Sequence, residues 1–368
     1  QANLIQVFDP AATGVPVAEV PILGEEPRAL AVSADGSTVY AAIFESGNGS
    51  TVLGGGLDGS ATLVLPNVVS NPNGPYGGQN PPPNSGANFV PAQRAGNPTP
   101  PRVGLIVKKD SAGNWMDDNG GDWTNFVSGP QAAQSGRPVG WDVTDHDVAV
   151  LDTATLGVTY ADRLMNINMA LAVHPISGSL TVVGTDATNE VRFEPNLNGV
   201  FLRVVMGIVD EATLSGAVVD TNPHLTYQTG TVPQATRDLS LGDPRGIAWT
   251  SDGTRGYVTG MGSNNVAVFN AAGARIGTPI EVGQGPTGIV LDATGNRAFV
   301  VNKFDASIST VDLGAGVETH RTSFYDPSPV ALQEGRKHLY DTHENSGLGH
   351  MSCASCHVDA RTDRLGPG

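Results

Sequence analysis

The chain is written in short apolar runs, each closed by a turn signal. Pro27 to Gly36 reads Pro-Arg-Ala-Leu-Ala-Val-Ser-Ala-Asp-Gly and is followed by Val39-Tyr40. The same frame returns at Pro244 to Gly253 with Gly256-Tyr257, and at Pro286 to Gly295 with Ala298-Phe299. In all three the turn Gly lies nine residues after the Pro and the aromatic thirteen after it; the last two copies are 42 residues apart. A weaker copy, Leu171 to Gly178 followed by Leu180 to Val183, is one residue longer before its turn and lacks the leading Pro.

Each unit predicts three strands. An alternating apolar run is a strand with one buried face. Asp-Gly or a relative supplies the positive φ of a hairpin turn. A second β-rich run comes next, then a polar turn and a third strand, Asn264 to Phe269 or Ala306 to Asp312. The third strand's first apolar residue falls thirteen after the turn Gly, at Val266 and Ile308, and in the weak copy at Val191. A β-meander with a period near 42 residues predicts propeller blades. The second strands, Tyr257-Val258-Thr259-Gly260 and Phe299-Val300-Val301-Asn302, resemble the YVTN family of β-propeller repeats. Leu4 to Asp9 reads as an outer strand without the rest of its blade, and is expected to close the ring by completing a blade at the far end. Further blades are expected in divergent sequence, especially within 196–243.

Composition agrees with this pattern. Gly 47 and Pro 26 among 368 residues suit a turn-rich β protein, and 39% hydrophobic residues supply a sizeable core. The net charge of −16 argues against nucleic acid and anionic membrane surfaces, whose binding needs clustered Lys and Arg. No apolar run approaches the roughly 18 residues of a membrane span. The chain opens at Gln1 with no leader, which reads as a mature exported form.

The period is lost between about 46 and 140. Asn71 to Pro101 is dense in Pro, Asn and Gly and reads as an irregular surface excursion, with the first blade resumed by Asp147 to Asp152. Within the insertion, Asp110, Asp117, Asp118, Asn119, Gly120 and Asp122, followed by Asp142, Asp145 and Asp147, offer the hard oxygen ligands that Ca²⁺ takes, although no EF-hand pattern is met. The same residues also make tight turns, and both readings stand. Trp115, Trp123 and Trp141 flank the stretch as loop anchors. His146, between Asp145 and Asp147, reads as a hydrogen-bonded turn histidine or a metal ligand.

The most specific motif comes last: Cys353-Ala354-Ser355-Cys356-His357. Two thiols separated by two residues reach the two vinyl groups of one porphyrin edge, and the adjacent His lies under the iron. Cys353 and Cys356 are thus the expected haem c attachment thiols and His357 the expected axial ligand. A thioredoxin-like motif would need a βαβ context, a Cys₂His₂ zinc site a second ligand pair, and a disulfide across two residues is strained.

Upstream, Ser328 is the expected N-cap of a helix with Pro329 in its first turn. Val330, Leu332, Leu339 and Tyr340 are expected to share an apolar face, with Gly335 allowing close packing. Together with Ser346-Gly347-Leu348-Gly349 and the Cys-x-x-Cys-His motif, this stretch resembles the start of c-type cytochrome modules of the di-haem cytochrome c peroxidase and MauG type. The resemblance implies a distal Met or His well downstream. Only eleven residues come after His357, none of them Met or His, so the module is incomplete as it stands. His350, Met351, His343 and His338 are the internal candidates for the distal position.

The expected fold is therefore mostly β: a YVTN-like propeller over 1–320 with its long loop insertion, then a small, incomplete α-helical cytochrome c segment over 326–368. The expected function is that of a bacterial periplasmic, cell-surface or secreted haem protein, carrying electrons to a redox partner protein or displaying its propeller to a surface partner. Peroxide chemistry with a second haem is the enzymatic alternative.

Overall fold

Every repeat turn predicted from the sequence carries its glycine in the left-handed region: Gly36, Gly178, Gly253 and Gly295 have φ of 73°, 74°, 69° and 69°. Side chains tighten the same turns. Asp35 accepts from the Ser37 amide at 3.0 Å, and Asp252 from the Thr254 amide at 3.0 Å. These local closures let sequential runs pair as antiparallel meanders. The computed structural model describes residues 3–12, 14–55, 57–58, 61–62, 66–79, 105–117, 119–187, 202–227 and 229–360.

The chain begins with a ribbon of β1 (Leu4–Val7) and β2 (Ala18–Pro21). Next, β3 (Glu25–Val32) pairs with β4 (Thr38–Glu45). An insertion then holds β5 (Ser50–Leu53), β6 (Leu57–Asp58), β7 (Ala61–Thr62), β8 (Leu105–Lys109), β9 (Trp115–Met116) and α1 (Thr124–Val127). After it, β10 (Val148–Asp152) returns to pair with β4, and β11 (Val158–Ala161) completes the first blade in the order β3-β4-β10-β11. The predicted resumption of the blade at 147–152 is what the structure contains.

The second blade is β12 (Ile167–Val173), β13 (Leu180–Ala187), β14 (Leu202–Val209) and β15 (Gly216–Asp220). A short α2 (Gln234–Arg237) leads to the third, β16 (Pro244–Trp249), β17 (Gly256–Gly260), β18 (Asn265–Phe269) and β19 (Ile280–Glu281). The fourth is β20 (Pro286–Leu291), β21 (Arg297–Asn302), β22 (Ser307–Asp312) and β23 (Val317–Ser323). The first strands β3, β12, β16 and β20 stand side by side in that order, the arrangement of propeller blades around an axis.

Apolar faces between consecutive blades hold the array together. Tyr40, Ala42 and Val148 of the first blade pack on Leu171, Val182 and Val205 of the second. Val183, Val204 and Met206 pack on Val258, Ala267 and Phe269 of the third, and Tyr257, Val266 and Val268 on Ala298, Val300 and Val311 of the fourth.

Three expectations about strands change. The N-terminal strand does not complete the far blade: β1 pairs with β2, and Ile5 and Ile22 cover Ala41, Ile43 and Ala149 of the first blade. The third strand of the weak copy is β14, beginning at Leu202, while Val191 lies outside the described residues. Within 196–243, the described residues therefore supply the outer half of the second blade, β14 and β15, rather than further blades. Of the expected excursion over 71–101, residues 80–101 lie outside the described residues; on either side of it Leu53, Val68, Leu105, Val107, Trp115, Trp123 and Phe126 close a core of their own, with Trp141 against it.

Candidate haem-attachment site

After β23 the chain forms α3 (Val330–Tyr340), α4 (Thr342–Asn345) and α5 (Cys353–Cys356), then a 3₁₀ turn at Val358–Ala360. The expected helix exists, with half of its expected apolar face covered: Leu339 and Tyr340 are half-buried, and the Tyr340 ring lies 4.6 Å from that of Phe304. Its N-cap is Pro329, with φ −54° and ψ 142°, rather than Ser328. Arg336 anchors the inner side by bonding the Phe304 carbonyl and Asp326. Val330 and Leu332 point to solvent, 66% and 62% exposed, and a Cβ added at Gly335 would meet nothing within 4 Å. The Arg336 anchor and the Tyr340–Phe304 contact together seat this helix.

Beyond α3, the chain is sewn onto the blades. Thr342 donates its amide to the Gly262 carbonyl at 2.8 Å. Its side chain fills space left by Gly242 and Gly262, where an added Cβ would come within 2.5 Å and 2.7 Å of it. His343 bonds the Ser240 carbonyl at 3.0 Å, and Ser240 donates to the Leu348 carbonyl at 2.8 Å. The Val232 amide donates to the Gly347 carbonyl at 2.8 Å. His350 is 2% exposed, donates Nε2 to the Leu202 carbonyl at 3.1 Å, and meets the edge of the Tyr227 ring. Burial pushes its imidazolium down to about 4.

The motif itself occupies one helical turn. The Ser352 amide donates to Ser355 Oγ at 3.0 Å, and the His357 amide closes the turn on the Cys353 carbonyl at 2.9 Å. Ala354 and Ser355 face inward at 0% and 1% exposure, while Cys353 and His357 are exposed and Cys356 is half-buried. Residues three apart on a helix share a side, so the two thiols look outward together. No disulfide joins them.

Directly after His357, Val358 is buried against Phe44, Ile167 and Met169. Asp359 bridges two blades, bonding Arg28 of β3 and reaching Arg245 of β16 at 3.3 Å. Arg28 also lies over the Phe44 ring, 3.5 Å from its centroid. Arg245 in turn holds Asp243, which is 0% exposed, at 3.1 Å. The motif's C-terminal end is thus fixed by charge to the first strands around the axis.

The distal candidates fare unequally. His350 and His343 are committed to backbone carbonyls, His338 is exposed on α3, and Met351 is half-buried beside the motif. Among the described residues the calcium candidates do not gather as a cation site. Asp117 accepts from Tyr76 Oη, the amides of Asn119 and Gly121, and Trp123 Nε1, all between 2.8 and 2.9 Å, so its oxygens are already saturated by donors. Asp122 accepts from the Thr124 amide, and Asp118 lies outside the described residues. Among the described residues no three His, Cys, Asp or Glu side chains are grouped to hold a metal ion. His146 is a turn residue, its Nδ1 2.7 Å from the Leu23 carbonyl and its ring stacked on Tyr160.

Asp145 and Asp147, which the sequence offers as oxygen ligands beside His146, differ in burial. Asp147 is fully buried and accepts from the amides of Leu164 and Met165, Ser46 Oγ and Asn168 Nδ2. Asp145 is driven well above the usual carboxylate range, first by burial and then by the charges of Asp147 and Asp162. Asp145 lines a cleft of about 650 Å³ shared with Lys109, Asp142, His146 and Arg163. The only signal was an Asp-His-Asp run abutting the apolar strand β10, which also reads as an ordinary turn.

No family model matches the sequence, and no curated protein matches it. Among solved structures, the chain is similar to the periplasmic gluconolactonase of Pseudomonas aeruginosa, with 12% identity and a TM-score of 0.41 over 89% of this chain and 66% of that one. It is also similar to a chain of a nidogen/laminin complex, at 12% identity and a TM-score of 0.37 over 88% and 91%. A third likeness is to the hydrazine synthase of Kuenenia stuttgartiensis, at 14% identity and a TM-score of 0.35 over 84% and 89%. Likeness at this level assigns neither a family nor an activity.

Proposed function

We propose that this chain is an exported c-type haem protein in which a propeller carries the prosthetic group on its own surface. The observation that carries the reading is the α5 turn: Ala354 and Ser355 anchor it inward, leaving Cys353 and Cys356 outward on one side with His357 exposed beside them. That donor set fits haem c, with two thiols for thioethers and an imidazole for the iron. When bound, the haem supplies an iron that takes up and releases one electron. The chain's own residues hold the turn rigid through Ser352, Ser355 and Val358. Arg28 and Arg245 place two cations within reach of the segment through Asp359. The propeller then acts as scaffold and docking surface for a redox partner.

The test is expression in a host with periplasmic cytochrome c assembly. Haem is expected to stay with the polypeptide through acid-acetone extraction and denaturing electrophoresis. Cys353→Ser with Cys356→Ser is expected to abolish this. Complete extraction of haem from the unaltered chain overturns the reading.

A second reading, small-molecule chemistry at the iron, is favoured by one observation: His350 is sequestered by Leu202. Carbon monoxide uptake by the reduced protein separates the two readings, since a six-coordinate carrier resists it.

A further inference from the structure

The four blades leave two apolar faces bare, one at each end of the array. On the fourth blade, Val290, Phe299, Val301 and Ile308 are 59%, 38%, 41% and 37% exposed. They form one patch: Val290 pairs across with Phe299, and Val301 with Ile308. On the first blade, Leu30 and Val32 of β3 are 62% and 54% exposed.

The repeat shows what such faces are shaped for. The positions 42 residues before Phe299, Val301 and Ile308 are Tyr257, Thr259 and Val266, and those are 2%, 0% and 1% exposed. They are buried because the fourth blade covers them, partly through Ile289 and Leu291 of its first strand. Ile289 and Leu291 stand three and five residues after Pro286; Leu30 and Val32 stand three and five after Pro27. The fourth blade therefore presents the face that a β3-type strand covers, and β3 presents the residues that do the covering. Within one chain both remain exposed. The ribbon β1–β2 covers the middle of this first-blade face, at Ala41 and Ile43 of β4 and Ala149 of β10, and leaves Leu30 and Val32 outside it.

We propose that this face joins two copies of the chain, with Leu30 and Val32 of each copy packed on Phe299, Val301 and Ile308 of the other. Two such contacts related by a two-fold axis close on themselves and leave neither end bare. The pairing would repeat, between molecules, the part of the third-to-fourth blade packing that Ile289 and Leu291 make, with the β1–β2 ribbon standing in for the rest.

Light scattering on the purified chain at micromolar concentration tests this. The expected mass is twice 37.9 kDa. Phe299→Asp and, independently, Leu30→Asp are expected to return it to a single copy, with unchanged far-ultraviolet circular dichroism showing that the blades persist. If either variant fails to fold, Val301→Lys or Val32→Lys at the neighbouring position serves the same end. A monomeric unaltered chain overturns the proposal, whatever else covers the faces. So does an oligomer that survives substitution on both faces.

Discussion

His350 shows how a single residue changes its meaning between sequence and structure. Three positions before a haem motif, an imidazole reads as a ligand. In the fold it is a buried strut between the haem-motif loop and β14. Its charged form is disfavoured in the fold, so the folded state binds fewer protons than the unfolded one below the ordinary value of 6.5. The stabilisation is present above that value and lost as the pH falls toward about 4, at a cost of roughly 3 kcal/mol once both states are protonated. Urea melts of the unaltered chain and of His350→Gln are expected to differ in slope between pH 6.5 and 4, with the variant flatter. Equal slopes would mean the imidazole is solvated. Chemistry at this scale was only half legible. Cys353, Cys356 and His357 announce themselves by spacing, whereas the burial of His350, Asp145 and Asp147 depends on segments far away in sequence.

At the scale of the element, the strands were readable wherever turn chemistry and apolar alternation agreed. Pro244 to Gly260 and Pro286 to Asn302 are cases, with Gly253 and Gly295 closing both hairpins. They failed where a connection was long: the weak copy finds its third strand only at Leu202, beyond a stretch whose length no local rule fixes. The helix α3 was legible in part: Leu339 and Tyr340 turn inward as the apolar pattern asks, while Val330 and Leu332 stay exposed and Arg336 anchors the helix by bonding Asp326 and the Phe304 carbonyl. The seam inside the second blade makes a specific prediction. A Cβ at Gly184 would lie 1.9 Å from the Ile167 carbonyl oxygen, where β12 and β13 are in bulged register. Gly184→Val is expected to force the strands apart and cost about 3 kcal/mol, read as a lowered urea midpoint. A midpoint unchanged from the parent would show that the bulge relaxes freely.

For the whole molecule, the question is whether the haem-motif segment and the propeller are one cooperative unit. The ion network answers structurally: Asp243, Arg245, Asp359 and Arg28 join β16, the post-motif turn and β3. Asp243 is completely buried, so removing Arg245 strands a charge. Breaking one partner of a buried pair typically costs about 3–5 kcal/mol, and Arg245→Met is expected to cost about 3 kcal/mol in a single transition that melts segment and blades together. Two separate transitions, or a loss confined to 342–360 in hydrogen exchange, would contradict one unit. None of this network was visible in the sequence, because Arg28, the Asp243–Arg245 pair and Asp359 lie far apart along the chain and each resembles an ordinary surface charge.

The interrupted first blade has a consequence in time. Its second strand, β4, ends at Glu45, but the neighbour that completes the sheet, β10, starts at Val148. At about 5–20 residues per second, a ribosome needs roughly 5–20 s to deliver the missing edge. Throughout that interval β4 offers an open strand carrying Tyr40, Ile43 and Phe44 to any other nascent chain. The insertion, which packs a core of its own from Leu53 to Val127, is the one part of this region able to settle before the blade around it can close.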